Sequence, residues 1–483
     1  MNGLVSNPVR PAAGGLTRFR SGRSLQPALA RNEVRLRMIP LGFAGLILVG
    51  AVLLALPFTR NSGESVSILD ALFLSTSATC VTGLTTVNVA ESFNRFGHIT
   101  LLVLFQVGGL GIMTAGTFFL LLTGNRLSLA HEASIVGTFG KLRSARPLDV
   151  LIYACVFVLI AEFAGFVAMF SVLTQHGPEQ AIEESAWQAA FHAVSAFCNA
   201  GVSIFPEGLA RWKDQPLLLG VVNLLVIAGG IGLLTLVNLR FYYWWRRDTR
   251  RRGQLGVQTK VAVLLTVVLL LAGAVLTLLL EWNRTLASGS WGERLSWAFF
   301  HSAMTRSAGF NVVDTGQMHP ATLFISMALM FIGGAPGSMA GGIKIITAAV
   351  LVMAAWTALR RQQEVNLFRR RVPRDQTGAA VMLVLMAAGC LFVAMTLLFI
   401  TENGRPAAQT ELHHLALAFE AVSAFGTVGA STGITPLLTP AGKLIIIVFM
   451  FVGRVGPLML AIHLCRPASP WHARHPAESV SLG

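Results

Sequence analysis

Four stretches of the 483-residue chain align without gaps: ALFLSTSATCVTGL at 71–84, AAFHAVSAFCNAGV at 189–202, WAFFHSAMTRSAGF at 297–310 and LAFEAVSAFGTVGA at 417–430. Their third position is Phe73, Phe191, Phe299 and Phe419, and their seventh is Ser77, Ser195, Ala303 and Ser423. Their thirteenth is always glycine: Gly83, Gly201, Gly309 and Gly429. The residues before each glycine are Cys80-Val81-Thr82, Cys198-Asn199-Ala200, Arg306-Ser307-Ala308 and Gly426-Thr427-Val428. They offer no ring of Asp or Glu to a divalent cation, so the ligands on offer are backbone carbonyls. Glycine adopts positive φ readily, which lets successive carbonyls face one axis. Carbonyls so arranged can replace the hydration shell of a monovalent cation, and Thr427-Val428-Gly429 matches part of the potassium-channel filter signature. The carbonyls expected to hold such a cation are those of Val81, Thr82, Asn199, Ala200, Ser307, Ala308, Thr427 and Val428.

The elements that position these loops follow from their spacing. The glycines lie 118, 108 and 120 residues apart, a fourfold repeat of a large unit and not a solenoid period. Apolar runs that could cross a bilayer lie at 39–57, 97–122, 149–174, 215–239, 258–281, 320–357 (interrupted), 376–401 and 440–464. Each aligned stretch falls between two of them and is too short to cross. It must enter the membrane and return, with its non-helical backbone buried in protein or facing water. Short helices ending at the loops would point their partly negative C-termini at the pore centre, which favours cations. The expected fold is an all-α polytopic membrane protein of four M1–pore helix–M2 repeats around a central selectivity filter. It has eight transmembrane spans plus four reentrant pore loops. The repeats are expected at 39–123, 149–240, 258–357 and 376–464, between a basic, disordered tail at 1–38 and a second tail at 465–483.

Composition supports this class. The chain is 54% hydrophobic and 12% charged, with a mean hydropathy of +0.65, against about 25% charged residues in soluble domains. Five cysteines without CxxC spacing exclude a disulfide scaffold and a thiolate metal site, and are expected to be buried hydrophobes. The net charge of +15 could suggest nucleic acid, but 26 of the 37 Lys and Arg fall before Met38, in 124–148, 239–261 and 358–375, and after Cys465. That is the positive-inside distribution. It puts these segments and both termini in the cytoplasm and leaves no nucleic-acid surface. The basic N-terminal stretch lacks the apolar core of a signal peptide.

The sixth run is broken by Gly333-Gly334-Ala335-Pro336-Gly337-Ser338-Met339-Ala340-Gly341-Gly342. Glycine costs a helix about 1 kcal/mol and proline about 3, and broken helices at mid-membrane mark ion pathways. The stretch imitates a phosphate loop, but Ile343 precedes Lys344 and Ile345 follows it, so no nucleotide is expected on this chain. Arg454 lies deep in the last apolar run and must face the pore or the broken helix. Arg306 is expected behind the filter, paired with Glu420 or Glu162.

FHAVSAFCNAG, MTRSAGFN, FEAVSAFGTVGASTGITP, FIGGAPGSMAGGIKIIT and FVGRVGPL resemble the pore loops and inner helices of the Trk/Ktr/HKT superfamily of potassium transporters, over roughly 39–464. The start of the first run near Pro40 and the ending from His475 resemble the Ktr membrane subunit, not the Trk type with two further leading spans. The resemblance implies K⁺ uptake across the cell membrane of a prokaryote, a homodimer, and a separate cytosolic RCK-type ring that binds nucleotide. Arg-rich 240–252 and 360–374 are candidate contacts for that ring or for anionic lipid. The resemblance also makes 333–342 an intramembrane gate. Gly333, Gly334, Pro336, Gly337, Ser338, Gly341 and Gly342 form it, and Lys344 and Arg454 set its electrostatics.

Gly83 favours K⁺, because serine at that position accompanies Na⁺ preference in the plant branch of the superfamily; the alternative is Na⁺ or mixed Na⁺/K⁺ transport. Two other classes are weaker. An intramembrane enzyme could use His192 and Ser195, three residues apart, or His301. A regulatory scaffold without transport would have no use for four intact glycine loops.

Overall fold

The computed structural model describes residues 26–63, 65–123, 147–176, 182–232, 235–236, 238–239, 242, 255–362, 364–403 and 413–464. The tail at 465–483 with Cys465, and most of 240–252, lie outside them. Residues 1–42 and 43–483 form separate units, and everything below except the start of the first helix concerns the second. The protein is mostly helical, and its helices recur as triplets in chain order. The first triplet is α1 (Gln26–Ala55), α2 (Ile68–Thr79) and α3 (Arg95–Thr123). The second is α4 (Pro147–His176), α5 (Ile182–Phe197) and α6 (Pro216–Ile231). The third is α7 (Val257–Glu281), α8 (Trp291–Ser307) and a divided last member, α9 (Pro320–Phe331) and α10 (Ile345–Leu359). The fourth is α11 (Arg374–Thr401), α12 (His413–Gly426) and α13 (Pro440–Leu464). A two-residue hairpin, β1 (Asn366–Leu367) with β2 (Arg370–Arg371), joins the third triplet to the fourth.

Cys155–His176, Val257–Glu281, Arg374–Thr401 and Pro440–Pro457 are each long and apolar enough to cross a membrane. Outer helices leave large apolar side chains uncovered: Leu279 in α7, and Leu385, Phe392 and Ile400 in α11, are each about 70% exposed. A helix apolar on all sides is stable only in an apolar surround. The short middle helices are the reverse. Phe73, Phe191 and Phe419, at the third aligned position, are fully buried. Ser67 accepts from the Asp70 amide at the start of α2, and Ser290 with Glu293 forms a capping box at the start of α8.

Two departures from expectation concern helix ends. The helix α1 begins at Gln26, inside the stretch expected as a disordered tail; Pro27 starts it, where a missing amide costs nothing. The run 215–239 was expected to be one span. Instead α6 stops at Ile231, and Gly232 takes φ 86°. The carbonyls of Gly229 and Gly230 leave the helical ladder to accept amides from the 333–342 segment.

The third and fourth triplets share a brace. Glu281, at the end of α7, accepts from the His319 amide at 2.8 Å and from the Thr322 hydroxyl, at the start of α9. Glu402, just past α11, accepts from the Thr439 amide at 3.2 Å and its hydroxyl at 2.6 Å, at the start of α13. Each carboxylate thus caps the N-terminus of the last helix of its own triplet, where the helix dipole favours negative charge. Glu402→Ala is expected to cost about 1–2 kcal/mol, read as a lower thermal midpoint in detergent, with Glu281→Ala adding to it. Between the first and fourth triplets, Lys443 on α13 pairs with Asp70 on α2 at 2.7 Å, both side chains largely covered.

Candidate functional site

The four aligned glycine loops converge. Each short helix ends just before its loop, and all four glycines have positive φ: Gly83 98°, Gly201 68°, Gly309 63° and Gly429 87°. Their surroundings reveal the order of the loops. A side chain on Gly83 would strike the carbonyl oxygen of Ala200; one on Gly201, that of Ala308; one on Gly309, that of Val428; one on Gly429, that of Thr82. Each carbonyl belongs to the residue just before the glycine of the next loop, and the fourth loop returns to the first. The loops therefore close a ring in the order of the chain.

Three loops share a local geometry. Val81, Asn199 and Thr427, two residues before the glycine, adopt φ of 54°, 60° and 47°. This left-handed conformation costs a non-glycine residue about 1–2 kcal/mol. It is fixed by bonds from the Thr82, Ala200 and Val428 amides back to the carbonyls of Ser77, Ser195 and Ser423, at 2.7, 2.7 and 2.9 Å. The aligned serines also act through their hydroxyls. Ser77 and Ser423 accept from the Gly83 and Gly429 amides at 3.0 Å, and Ser195 donates to the Val202 carbonyl at 2.7 Å.

The third loop departs. Ser307 stays helical, and the returning bond runs one residue later, from the Gly309 amide to Met304. Alanine at 303 supplies no hydroxyl, and α8 continues further. Ser307 instead bonds through its side chain to Asn199 of the neighbouring loop at 3.0 Å.

Arg306, expected behind the filter with an acid, is buried without one. Its Nη1 donates to the Thr266 carbonyl on α7 at 3.5 Å, and its Nε has no partner among the described residues. Both candidate acids are engaged elsewhere. Glu420 accepts from Ser431, Thr432 and Thr435. Glu162 accepts from Gln106 at 3.2 Å, and its other oxygen lies 3.9 Å from the Cys198 thiol. Helix geometry decides this: Arg306 sits on the side of α8 that packs on α7, and neither acid is on that helix. Cys80 and Cys198 are buried as expected, whereas Cys155 and Cys390 are only half-buried.

The segment between α9 and α10 lies against the same ring. The Gly333 amide donates to Ile343 at 2.9 Å and the Ile345 amide to Gly334 at 3.1 Å, closing its base. The Ala335 and Met339 amides donate to Gly230 and Gly229 at 3.0 Å each. Gly337 and Gly342 have positive φ, and Gly341 leaves no room for a Cβ against the Thr427 hydroxyl. Ser338 has no side-chain partner among the described residues, and Pro336 presents its carbonyl to Gly232. Lys344 reaches back to the Ala340 carbonyl at 2.6 Å. Arg454 on α13 donates to the Met339 carbonyl, while its Nε and second terminal nitrogen have no partner among the described residues. The segment from the third triplet therefore touches the second and the fourth. Sequence reasoning located this segment but missed its acceptors, the carbonyls of Gly229 and Gly230.

The pair of His192 with Ser195 does not form. His192 bonds Gln188 and Ser203, not Ser195, and His301 bonds Ser326. No group of His, Cys, Asp and Glu among the described residues could hold a metal ion.

The family model TrkH, described as a cation transport protein, matches residues 44–468. The chain belongs to this family. Family members with names include the Ktr system potassium uptake protein B of Vibrio alginolyticus, 37% identical over 92% of this chain and 94% of that protein. The potassium/sodium uptake protein NtpJ of Enterococcus hirae is 35% identical over 94% of this chain and 100% of that protein. The crystal structure of the potassium transporter TrkH from Vibrio parahaemolyticus matches with a TM-score of 0.66 over 89% of this chain and 86% of that one, at 18% identity, a likeness of fold. This TrkH-family chain is thus a multi-pass membrane protein among transporters.

Proposed function

We propose that the chain is the membrane subunit of a potassium uptake system of the Ktr type. The observation that carries this is the closed ring in which each loop glycine abuts the next loop's carbonyl. Four loops whose glycines abut backbone carbonyls offer oxygens and no acidic side chains, which suits a dehydrated monovalent cation. The filter is formed by 80–83, 198–201, 306–309 and 426–429, with eight spans around it and both termini in the cytoplasm. No pump is needed: inward K⁺ gains about 2.3 kcal/mol per 100 mV of inside-negative potential, enough for roughly fiftyfold accumulation.

The 333–342 segment is the gate, held closed by amides on Gly229 and Gly230 and by Arg454. The chain works as a homodimer in a prokaryotic cell membrane. A cytosolic nucleotide-binding ring acts on it, consistent with relatives named for a Ktr system. The basic hairpin over 360–374, exposed at Arg369, Arg370 and Arg371, is its contact surface.

The test is ⁸⁶Rb⁺ uptake into proteoliposomes with K⁺ or Na⁺ as competitor. Wild type is expected to be blocked by K⁺ and not by Na⁺, and Gly83→Ser to narrow that difference. Equal competition by Na⁺ in wild type would favour the Na⁺/K⁺ alternative that one relative's name carries. Absence of flux with and without a regulatory ring would overturn transport itself.

A further inference from the structure

The ring is fourfold in its glycines but twofold just outside them. At the fourth aligned position the four short helices carry Leu74, His192, Phe300 and Glu420. Two residues past each glycine stand Thr85, Ser203, Asn311 and Ser431. In the second loop, His192 Nε2 lies 2.8 Å from the Ser203 hydroxyl. Its Nδ1 faces the Gln188 carbonyl at 2.7 Å and so carries the proton, leaving Nε2 to accept from Ser203. In the fourth loop, the Ser431 hydroxyl donates to Glu420 at 2.5 Å. Both serines then accept from the amide two residues on, Phe205 at 3.1 Å and Gly433 at 2.9 Å. The same two-bond pattern thus recurs in two loops, with two different acceptors. Glu420 extends it to the Thr432 amide at 3.1 Å and the Thr435 hydroxyl at 2.9 Å. Leu74 and Phe300 have no acceptor to offer. Because the ring runs in chain order, the braced loops stand diagonally across it.

We infer that Glu420 and His192 are positioning residues for ion discrimination: they hold the outer mouth along one diagonal by engaging the Ser431 and Ser203 hydroxyls on the pore helix. This rests on the filter assignment proposed above. A hydroxyl bonded in this way is held in place: its proton goes to the pore-helix acceptor and one lone pair to an amide, which fixes the oxygen and the loop behind it. Released, the oxygen can follow a smaller ion, and the loop behind it loses its fixed distance. Loops 1 and 3 have no such brace beyond the glycine; their side-chain bonds, Ser77 with the Gly83 amide and Ser307 with Asn199, lie within the ring. Glu420 has a second, local consequence: with three donors on one carboxylate, residues 431–435 move as a unit with α12.

The experiment is competitive ⁸⁶Rb⁺ uptake in proteoliposomes, scoring K⁺ against Na⁺, for Ser431→Ala, Ser203→Ala, Glu420→Leu, Glu420→Gln and Gly83→Ser. Ser431→Ala and Ser203→Ala each remove a single oxygen, so folding is retained; Glu420→Leu installs the residue type the chain uses at 74. Glu420→Leu and Ser431→Ala are expected to lower the preference for K⁺ about tenfold. Ser203→Ala is expected to do so by less, and Glu420→Gln, which keeps an acceptor, to restore most of it. If both serine variants discriminate like wild type while Gly83→Ser does not, the inference is overturned and the filter assignment stands. If Gly83→Ser also discriminates like wild type, the filter assignment falls and this inference with it.

Discussion

Gly429→Ala is expected to abolish uptake, lowering ⁸⁶Rb⁺ flux by about 100-fold or more, while the protein still reaches the membrane. Gly429 has φ of 87°, where an L side chain is strained, and its Cβ would lie 2.8 Å from the Gly83 α-carbon and collide with the Thr82 carbonyl. Neither obstacle is a flexible side chain, so one loop backbone has to move. That motion opens the contact by which the fourth repeat meets the first, and a carbonyl cage tolerates little displacement. Gly63→Ala separates the two penalties. Gly63 has φ of 94° with nothing within 4 Å of an added Cβ, so it bears the conformational strain of about 1–2 kcal/mol without a collision. Gly63→Ala is expected to transport nearly as wild type. Comparable loss in both variants would mean that strain, and not the ring, is what matters.

Arg454→Met is expected to raise uptake about tenfold and to weaken its dependence on the regulatory ring. The guanidinium is buried, holds the Met339 carbonyl, and has no acid near it among the described residues. On the gate proposed above it would act in two ways at once: as a tether for the segment, and as a positive charge beside the cation's path. A charge some 8 Å from a passing ion, at an effective dielectric of about 20, raises its energy by roughly 2 kcal/mol. Arg454→Gln removes the charge and keeps a donor for Met339. Similar gains in both variants would assign the barrier to charge; a gain in Arg454→Met alone would assign it to the tether. Unchanged uptake in a folded Arg454→Met protein would remove Arg454 from the gate.

The loops and the broken helix were legible in the sequence because glycine is informative wherever backbone meets backbone. Gly83, Gly201, Gly309 and Gly429 are spaced by the repeat itself, and five glycines in 333–342 have no use inside a helix. Arg454 stood out because a charge in an apolar run needs a reason. What the sequence hid was partnership across repeats. The end of α6 at Ile231 is dictated by amides of Ala335 and Met339, about a hundred residues away. Within the run, Gly229, Gly230 and Gly232 look no different from the glycines of α3, where Gly108 and Gly109 stay helical. Arg306 was assigned an acid because buried charge usually has one; the structure instead gives it the Thr266 carbonyl. The shifted register of the third loop accompanies Ala303 and a helix that runs on to Ser307. Ala303 looks like an ordinary substitution until the returning bond to Met304 is seen.

The Asp70–Lys443 pair and the Gly429–Thr82 contact both join the first repeat to the last. During biosynthesis, then, the first loop is made long before the loop that completes it. At about 5–20 residues per second, synthesis of the intervening chain takes roughly 20 to 70 seconds. Through that interval Val81 must hold, or defer, its left-handed conformation without the neighbour that stabilises the ring. Polar backbone at membrane depth cannot wait unprotected in lipid, so the early loop has to be sheltered by the insertion machinery or by its own helices. A chain arrested before α12 would have three of the four loops and an open ring.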